Sequence, residues 1–147
     1  MRFKEIKADL FTITDAYFMQ CISADFKMGA GIAVEFNRRF NNKLKTCRSF
    51  PHYMQYYDKL LRARGDCILT DNVLNLVTKR RFFEKPTYKS MEEALYQAKE
   101  ICVSKGIKKI ALPRIGCGLD KLDWTRVSQT IKDIFSDTDV ELIVCTL

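Results

Sequence analysis

The sequence predicts an α/β protein, a three-layer α/β/α sandwich built around a mixed central sheet. Short apolar runs alternate with helix-type patterns along most of the chain. One pair of runs meets across Asp71 and Asn72 as an antiparallel hairpin. The other runs are separated by helices, which favours parallel pairing through right-handed crossovers with helices on both faces of the sheet.

Six runs are predicted as strands because they are apolar, bounded by turn residues and too short for helices. They are FKEIKA (3–8), YFMQCIS (17–23), CILT (67–70), LNLVT (74–78), KKIALP (108–113) and ELIVCTL (141–147).

Four helices are predicted, two of them from clear end signals. One begins at Ser90, which forms a capping-box pattern with Glu93, and stops at Gly106. Another follows Asp123 as its N-cap and has one apolar face. The remaining two are expected at residues 31–40, with apolar residues on one side, and at residues 51–62, which are apolar enough to dock.

The chain has 147 residues, 47% of them hydrophobic and 29% charged, which is typical of one globular domain spanning residues 1–147. Its N-terminus lacks the apolar core of a signal peptide, and no segment approaches the ~18 apolar residues of a membrane span. We therefore expect an intracellular monomer that does not bind membranes, in the cytoplasm or, in a eukaryote, the nucleus.

Neither a metal nor another cofactor is expected. The six cysteines are scattered without a C-x-x-C pair, and His52 is the only histidine. Most of the cysteines lie in apolar runs and are expected to pack as small hydrophobic residues in a reducing compartment. His52 follows Pro51 at a helix start, which favours a surface or cap position.

The formal net charge of +7 has two interpretations. The basic residues, with local clusters at residues 37–40 and 78–85, form either a solvated positive surface or a surface that attracts a phosphate-bearing ligand or nucleic acid.

Two glycine-containing loops, MGAGIAV (28–34) and IGCGLD (115–120), each follow a predicted strand and precede a helix. Ligands of α/β sheets bind beyond the carboxyl ends of strands, where helix N-termini attract anions and glycine permits close backbone approach. Neither loop is a Walker A or a complete G-x-G-x-x-G motif. The pair therefore indicates either two tight turns or a two-sided diphosphate cradle.

Four segments together resemble the macrodomain family: ADLF (8–11), CISADFKMGAGIAVEF (21–36), LVTKRRFFEKPTY (76–88) and PRIGCGLDKLDW (113–124). The resemblance is closest to the branch that contains the terminal ADP-ribose protein glycohydrolase and the antitoxins that remove ADP-ribose from DNA. It covers nearly the whole chain, with the segments in the family's order.

The resemblance implies that the ligand is ADP-ribose. It places Asp9 on the adenine amino group, the two glycine loops along the diphosphate and distal ribose, and Leu147 at the adenine end. The ligand-binding residues that it implies are Asp9, Leu10, Ser23, Met28, Gly29, Ala30, Gly31, Ile32, Arg114, Ile115, Gly116, Cys117, Gly118, Leu119 and Leu147.

The resemblance also implies that Lys79 and Asp120 are catalytic. Lys79 would attack the anomeric carbon of the distal ribose, and Asp120 would transfer protons while water resolves the lysine adduct. From the residues alone, an exposed lysine at a strand end is the favoured interpretation of Lys79, and a turn or helix-start residue that of Asp120. Only their joint match with both glycine loops reverses this. Cys117 is expected to pack as a thiol, because no histidine lies near it in sequence to activate it.

Two departures from the family pattern bear on the mechanism. Ser23 and the GAG of residues 29–31 stand where many macrodomain hydrolases have an asparagine and a run of glycines, which favours the lysine-dependent branch. Cys145 stands where an aromatic residue is expected near the adenine, so adenine packing is either weaker or supplied from elsewhere.

The expected function is a hydrolase that removes mono-ADP-ribose from glutamate and aspartate esters of modified proteins, with O-acetyl-ADP-ribose as a further substrate. Two alternatives remain, a hydrolase acting on ADP-ribosylated nucleic acid and a non-catalytic ADP-ribose reader. The presence of both Lys79 and Asp120 argues against a pure reader.

Overall fold

The computed structural model describes residues 1–25, 65–118 and 120–147. The helices predicted at residues 31–40 and 51–62 lie outside this part of the chain, as do Cys47 and His52.

A six-stranded mixed sheet forms the centre of the described structure. Its strands are β1 (Arg2–Lys7), β2 (Tyr17–Ser23), β3 (Asp66–Thr70), β4 (Val73–Lys79), β5 (Lys109–Leu112) and β6 (Glu141–Thr146). They are ordered β1-β6-β5-β2-β4-β3. All neighbours are parallel except β3 and β4, which form the predicted hairpin across Asp71 and Asn72.

Helix α1 (Tyr88–Lys105) starts two residues earlier than predicted. Its N-cap is Thr87, whose side chain accepts a hydrogen bond from the Ser90 amide, while Ser90 Oγ accepts one from the Thr87 amide; both are 3.0 Å long. The assignment of Ser90 as the N-cap was therefore wrong, because Ser90 fills the third helical position of Thr87's capping box. The predicted stop at Gly106 is confirmed by its left-handed φ of 68°.

Helix α2 (Trp124–Phe135) begins as predicted, with the Asp123 carboxylate accepting a hydrogen bond from the Thr125 amide. A short 3-10 helix (Leu10–Thr12) follows β1, and Asp9 caps it in the same way.

Both α-helices pack in one large hydrophobic cluster with the sheet. Met91 and Leu95 of α1 and Ile131 and Phe135 of α2 are almost fully buried there, together with Leu112 of β5. A smaller cluster contains the sheet residues Phe18, Val73, Ala111 and Ile143 and is joined by Leu10 of the 3-10 helix. Along each of these strands, the residues of the smaller cluster alternate with residues of the large cluster, so the two clusters lie on opposite faces of the sheet.

The predicted α/β class with a mixed sheet is confirmed. Within the described ranges, no helix is both long enough and apolar enough to cross a bilayer.

Candidate active site

The candidate site lies where β5, β2 and β4 end. These three strands are adjacent and parallel, so their carboxyl ends meet at one edge of the sheet. Lys79 is the last residue of β4 and Ser23 the last of β2. An irregularity in register after Ile22 places Ser23 opposite Lys79, and the Ala24 amide donates to the Lys79 carbonyl over 2.9 Å. This edge is where ligands of α/β sheets bind.

Lys79 and Asp120 form an ion pair at this edge. The Lys79 Nζ lies 2.7 Å from Asp120 Oδ1, and the two side chains are only 15% and 14% exposed. The residues are 41 positions apart in sequence, so the contact is made by the fold. Water competes little for such a sheltered pair, and the carboxylate is placed to accept a proton from the amine.

Asp25 is a residue of this region that the sequence analysis did not single out. Its carboxylate accepts hydrogen bonds from Ser23 Oγ over 2.5 Å and from the Phe82 amide over 3.0 Å. It therefore ties the end of β2 to the turn that follows Lys79. The available signal was its position two residues after a strand that ends at the ligand-binding edge.

The start of α1 supports the same strand end from the other side. Ser90 Oγ donates to the carbonyl of Thr78 over 2.7 Å, and Thr78 precedes Lys79. Hydrogen bonds with Ser90 and Asp25 thus fix the chain just before and just after Lys79.

The loop after β5 contains two glycines with different surroundings. Gly116 has a φ of +73°, and a Cβ there would lie 2.7 Å from Met91 Cε and 3.0 Å from Leu122 Cδ1. A Cβ on Gly118 would meet no atom within 4 Å among the residues that the structure describes. The Leu122 amide closes the loop by donating to the Gly116 carbonyl over 2.8 Å. Packing and backbone conformation explain Gly116, whereas Gly118 faces open space, where a ligand can approach.

One thiol, Cys21, lies near the ion pair, and a second, Cys117, lies near Cys21. Asp120, Cys117 and Lys79 are close enough to Cys21 to influence its ionisation, although burial is the largest cause of the raised pKa of the Cys21 thiol. Burial and then Asp123 raise the pKa of Cys117 to about 11, and its Sγ lies 3.2 Å from the Ile115 carbonyl. Both thiols are therefore protonated near neutral pH, as expected for packed cysteines and not for nucleophiles.

The residues predicted at the adenine end lie at the carboxyl ends of β1 and β6. Asp9 is exposed as the cap of the 3-10 helix, while Leu10 is buried beneath it. Leu147 is 95% exposed. Burial, and then the Asp9 carboxylate, raise the pKa of the Cys145 thiol, which places Cys145 close to Asp9.

Two further predicted ligand residues have protein partners. Arg114 forms an ion pair with Glu5, with Nε 3.3 Å from Oε1, and its guanidinium lies 5.9 Å from the Trp124 ring centroid. Ile115 is buried in the large cluster, so its backbone, and not its side chain, is available to a ligand.

The other loop of the predicted cradle, Met28, Gly29, Ala30, Gly31 and Ile32, lies outside the described residues, as does Leu119. Among the side chains that the structure does describe, no group of three potential metal ligands lies together.

Comparison with known proteins agrees with this architecture. The family model "Macro domain" matches residues 21–131. The human ADP-ribose glycohydrolase OARD1 is 36% identical over 148 aligned residues, which cover 99% of this chain and 92% of that protein. The Bos taurus protein of the same name gives the same values.

Two solved structures share the fold at low sequence identity. The macrodomain of Mycobacterium tuberculosis DarG superposes with a TM-score of 0.81 at 18% identity, covering 99% of this chain and 97% of that one. The structure of Thermosipho africanus DarTG in complex with ADP-ribose gives a TM-score of 0.72 at 20% identity, covering 99% of this chain and 42% of that one.

Proposed function

This chain belongs to the macro domain family, and from that premise we propose that it binds ADP-ribose and hydrolyses its ester bonds to glutamate and aspartate side chains of proteins. The contact of 2.7 Å between Lys79 Nζ and Asp120 Oδ1 carries the proposal, because it pairs a nucleophile with a proton acceptor at the ligand-binding edge. OARD1, the human relative, is itself named an ADP-ribose glycohydrolase.

The order of features along the sheet edge supports ADP-ribose as the ligand. Asp9 and Leu147 follow β1 and β6, the glycine loop follows β5, and Lys79 ends β4. From β1 to β4 are four strand spacings, about 19 Å in all at ~4.8 Å each. An extended nucleotide sugar suits that span, with adenine near Asp9, the diphosphate at the glycine loop and the distal ribose at Lys79.

The glycine loop suits the diphosphate for a further reason. The space beside Gly118 lets the backbone approach an anion without interference from a side chain. The Asp9 carboxylate at the adenine end is an acceptor for the exocyclic amine of the base.

The reaction proceeds in two steps. The Lys79 ammonium transfers a proton to Asp120, and the resulting neutral amine attacks C1″ of the distal ribose; the new N–C1″ bond forms as the C1″–O bond breaks, and the acceptor leaves as a carboxylate. Water then attacks the adduct with proton transfer through Asp120, which releases ADP-ribose and restores the lysine. A carboxylate is a good leaving group and needs no proton, which favours ester substrates over serine ethers.

The test is incubation of the purified protein with a protein modified by mono-ADP-ribose on glutamate, with free ADP-ribose measured by chromatography. We expect release from this substrate and from O-acetyl-ADP-ribose, and little release from a serine-linked peptide. Pretreating the substrate with neutral hydroxylamine, which cleaves the esters, is the control and should abolish the enzyme-dependent signal. Calorimetric binding of ADP-ribose without any release would contradict the hydrolase and leave a reader; neither binding nor release would contradict both.

A further inference from the structure

The first turn of α1 contacts both chain segments that carry the candidate catalytic pair. On the lysine side, Ser90 Oγ donates to the carbonyl of Thr78, the residue before Lys79, over 2.7 Å. On the aspartate side, the hydroxyl oxygen of Tyr88 accepts a hydrogen bond of 3.0 Å from the Asp123 amide. A single helical turn therefore bonds to the backbone beside each member of the ion pair.

The ring of Tyr88 is held in place for this contact. The guanidinium Cζ of Arg126, from α2, lies 3.6 Å from the centroid of the Tyr88 ring, which is a cation–π arrangement. Tyr88 is partly buried and packs against the large hydrophobic cluster. Because the ring is held by both contacts, the position of its hydroxyl oxygen is restricted as well.

A tight turn connects the Asp123 amide to Asp120. The Lys121 amide donates to the Gly118 carbonyl over 3.2 Å, and Lys121 has a left-handed φ of 59°. Among the described residues, three non-glycine residues have a left-handed φ, and the other two are aspartates, which adopt this conformation more readily than lysine. Such a backbone conformation persists only where surrounding contacts hold it, and the bond to Tyr88 is one of these contacts.

Other bonds keep this loop folded if the Tyr88 hydroxyl is lost. Trp124 Nε1 donates to Glu5 Oε1 over 2.6 Å, which holds the start of α2, and the Leu122 amide closes the loop after β5 over 2.8 Å. We therefore expect removal of the hydroxyl to displace Asp120 without unfolding the loop. A displacement of about 1 Å at a reacting group can lower a rate about 100-fold.

We infer that Tyr88 is a positioning residue for Asp120. Its hydroxyl holds the Asp123 amide, and this keeps the Asp120 carboxylate within hydrogen-bonding distance of the Lys79 amine. The consequence for catalysis rests on the proposed function, in which Asp120 accepts a proton first from Lys79 and then from the water that resolves the adduct. Tyr88 acts through Asp120 and takes no part in proton transfer itself.

The test is the variant Tyr88→Phe, which removes the hydroxyl and keeps the ring beside Arg126. With a peptide that carries ADP-ribose on one glutamate, we expect kcat to fall roughly tenfold and KM to change by less than about twofold, because proton transfer slows while ligand contacts remain. The matched control is Tyr96→Phe, which removes a hydroxyl from a tyrosine of the same helix that is 48% exposed. It should leave both constants unchanged, and urea unfolding should show both variants folded.

A double-mutant cycle separates positioning from a general structural effect. If Tyr88 acts through Asp120, the Tyr88→Phe change should have almost no effect on the rate once Asp120→Asn has removed the proton acceptor. The double variant should then be as slow as Asp120→Asn alone. A tenfold loss in both backgrounds would overturn the inference, as would an unchanged kcat in Tyr88→Phe or an equal loss in Tyr96→Phe.

A measurement without turnover distinguishes failure of this inference from failure of the proposed function. By NMR, the carbon-13 chemical shift of the Asp120 carboxyl group and the hydrogen exchange of the Asp123 amide should change in Tyr88→Phe and not in Tyr96→Phe. If wild type cleaves no ester but these signals respond, the proposed function is wrong and the positioning of Asp120 stands. If wild type cleaves the ester but neither the signals nor kcat respond, the positioning is wrong and the proposed function stands.

Discussion

Two lysine–aspartate pairs lie at opposite ends of the sheet and differ in almost everything except their chemistry. Lys79 and Asp120 meet at the carboxyl ends of the strands and are sheltered from water. Lys108 and Asp139 precede β5 and β6 at the amino ends, 2.8 Å apart, with side chains 64% and 77% exposed. The same two groups at nearly the same distance therefore occupy opposite environments.

The comparison teaches that location, and not the ion pair itself, distinguishes the candidate site. An exposed pair is screened by water and salt and contributes little to stability. The sheltered pair adjoins the buried Ser23, the Asp25 bridge and a loop with open space at Gly118. If the environment decides function, a substitution in the sheltered pair should change catalysis and the same substitution in the exposed pair should not.

The largest difference is expected from removing each lysine. Lys79→Ala should lower ADP-ribose release by a factor on the order of 10³ or more, the scale on which loss of a covalent nucleophile acts. Lys108→Ala, the matched control, should leave the rate unchanged. Single-turnover release from a glutamate-linked substrate provides the measurement, with calorimetry showing that ADP-ribose binding largely survives in both variants. Full turnover by the Lys79→Ala protein would show that Lys79 is not the nucleophile.

Substitution of the two aspartates should give a smaller difference in release rate than substitution of the two lysines. Asp120→Asn keeps the shape of the side chain but removes its charge and its capacity to accept a proton, so we expect the release rate to fall about 100-fold. Asp139→Asn should have no effect on release. Parallel rate measurements across pH would show the wild-type dependence altered only by Asp120→Asn; an unchanged rate in that variant would exclude Asp120 from proton transfer.

The two glycines of the β5 loop sharpen the comparison by separating folding from binding. Gly116→Ala forces a side chain into a left-handed conformation and against Met91, and should lower the free energy of unfolding by roughly 1–3 kcal/mol. Gly118→Ala adds a methyl group that meets no atom of the described residues, so it should leave stability unchanged but weaken ADP-ribose binding. Urea unfolding and calorimetry measure the two effects. If the Gly118→Ala protein is stable and binds ADP-ribose normally, the β5 loop does not contact the ligand.

The smallest effect concerns the thiol of this loop. Because its pKa is raised to about 11, Cys117 is almost entirely protonated at pH 8, and its folded-state alkylation should be roughly 100-fold slower than that of an ordinary thiol. The rate should rise as the pH approaches 11. Site-resolved mass spectrometry after brief iodoacetamide treatment measures this, with urea-unfolded protein as the reference. Rapid labelling of Cys117 in the folded protein would contradict its interpretation as a packed, unreactive thiol.

Local signals account for the parts of the fold that the sequence predicted well. The Asp123 cap, the Gly106 stop and the hairpin at Asp71 and Asn72 each depend on a few neighbouring residues, and each is confirmed. The start of α1 was misplaced because Thr87 and Ser90 are both good capping residues. Only the geometry shows that Ser90 instead anchors α1 to β4.

The site depends on contacts that no local pattern contains. Lys79 and Asp120 are far apart in sequence, and alone each resembles an ordinary surface residue; the family resemblance singled them out and the fold brings them together. The Asp25 bridge to the Phe82 amide spans 57 positions and had no counterpart in the motifs. The contact between Tyr88 and the Asp123 amide likewise appears only in the structure.

The most direct test of the central claim is the covalent intermediate itself. Asp120→Ala protein should be incubated with a glutamate-linked substrate, quenched, digested and analysed by mass spectrometry. Without Asp120, bulk water can still accept the proton that Lys79 loses before attack, whereas water that resolves the adduct loses its proton acceptor in the site. We therefore predict that the adduct accumulates, with one ADP-ribosyl group on the peptide that contains Lys79 and none on the peptide that contains Lys108. Substrate turnover by this variant with an unmodified Lys79 at every time point would contradict attack by the lysine.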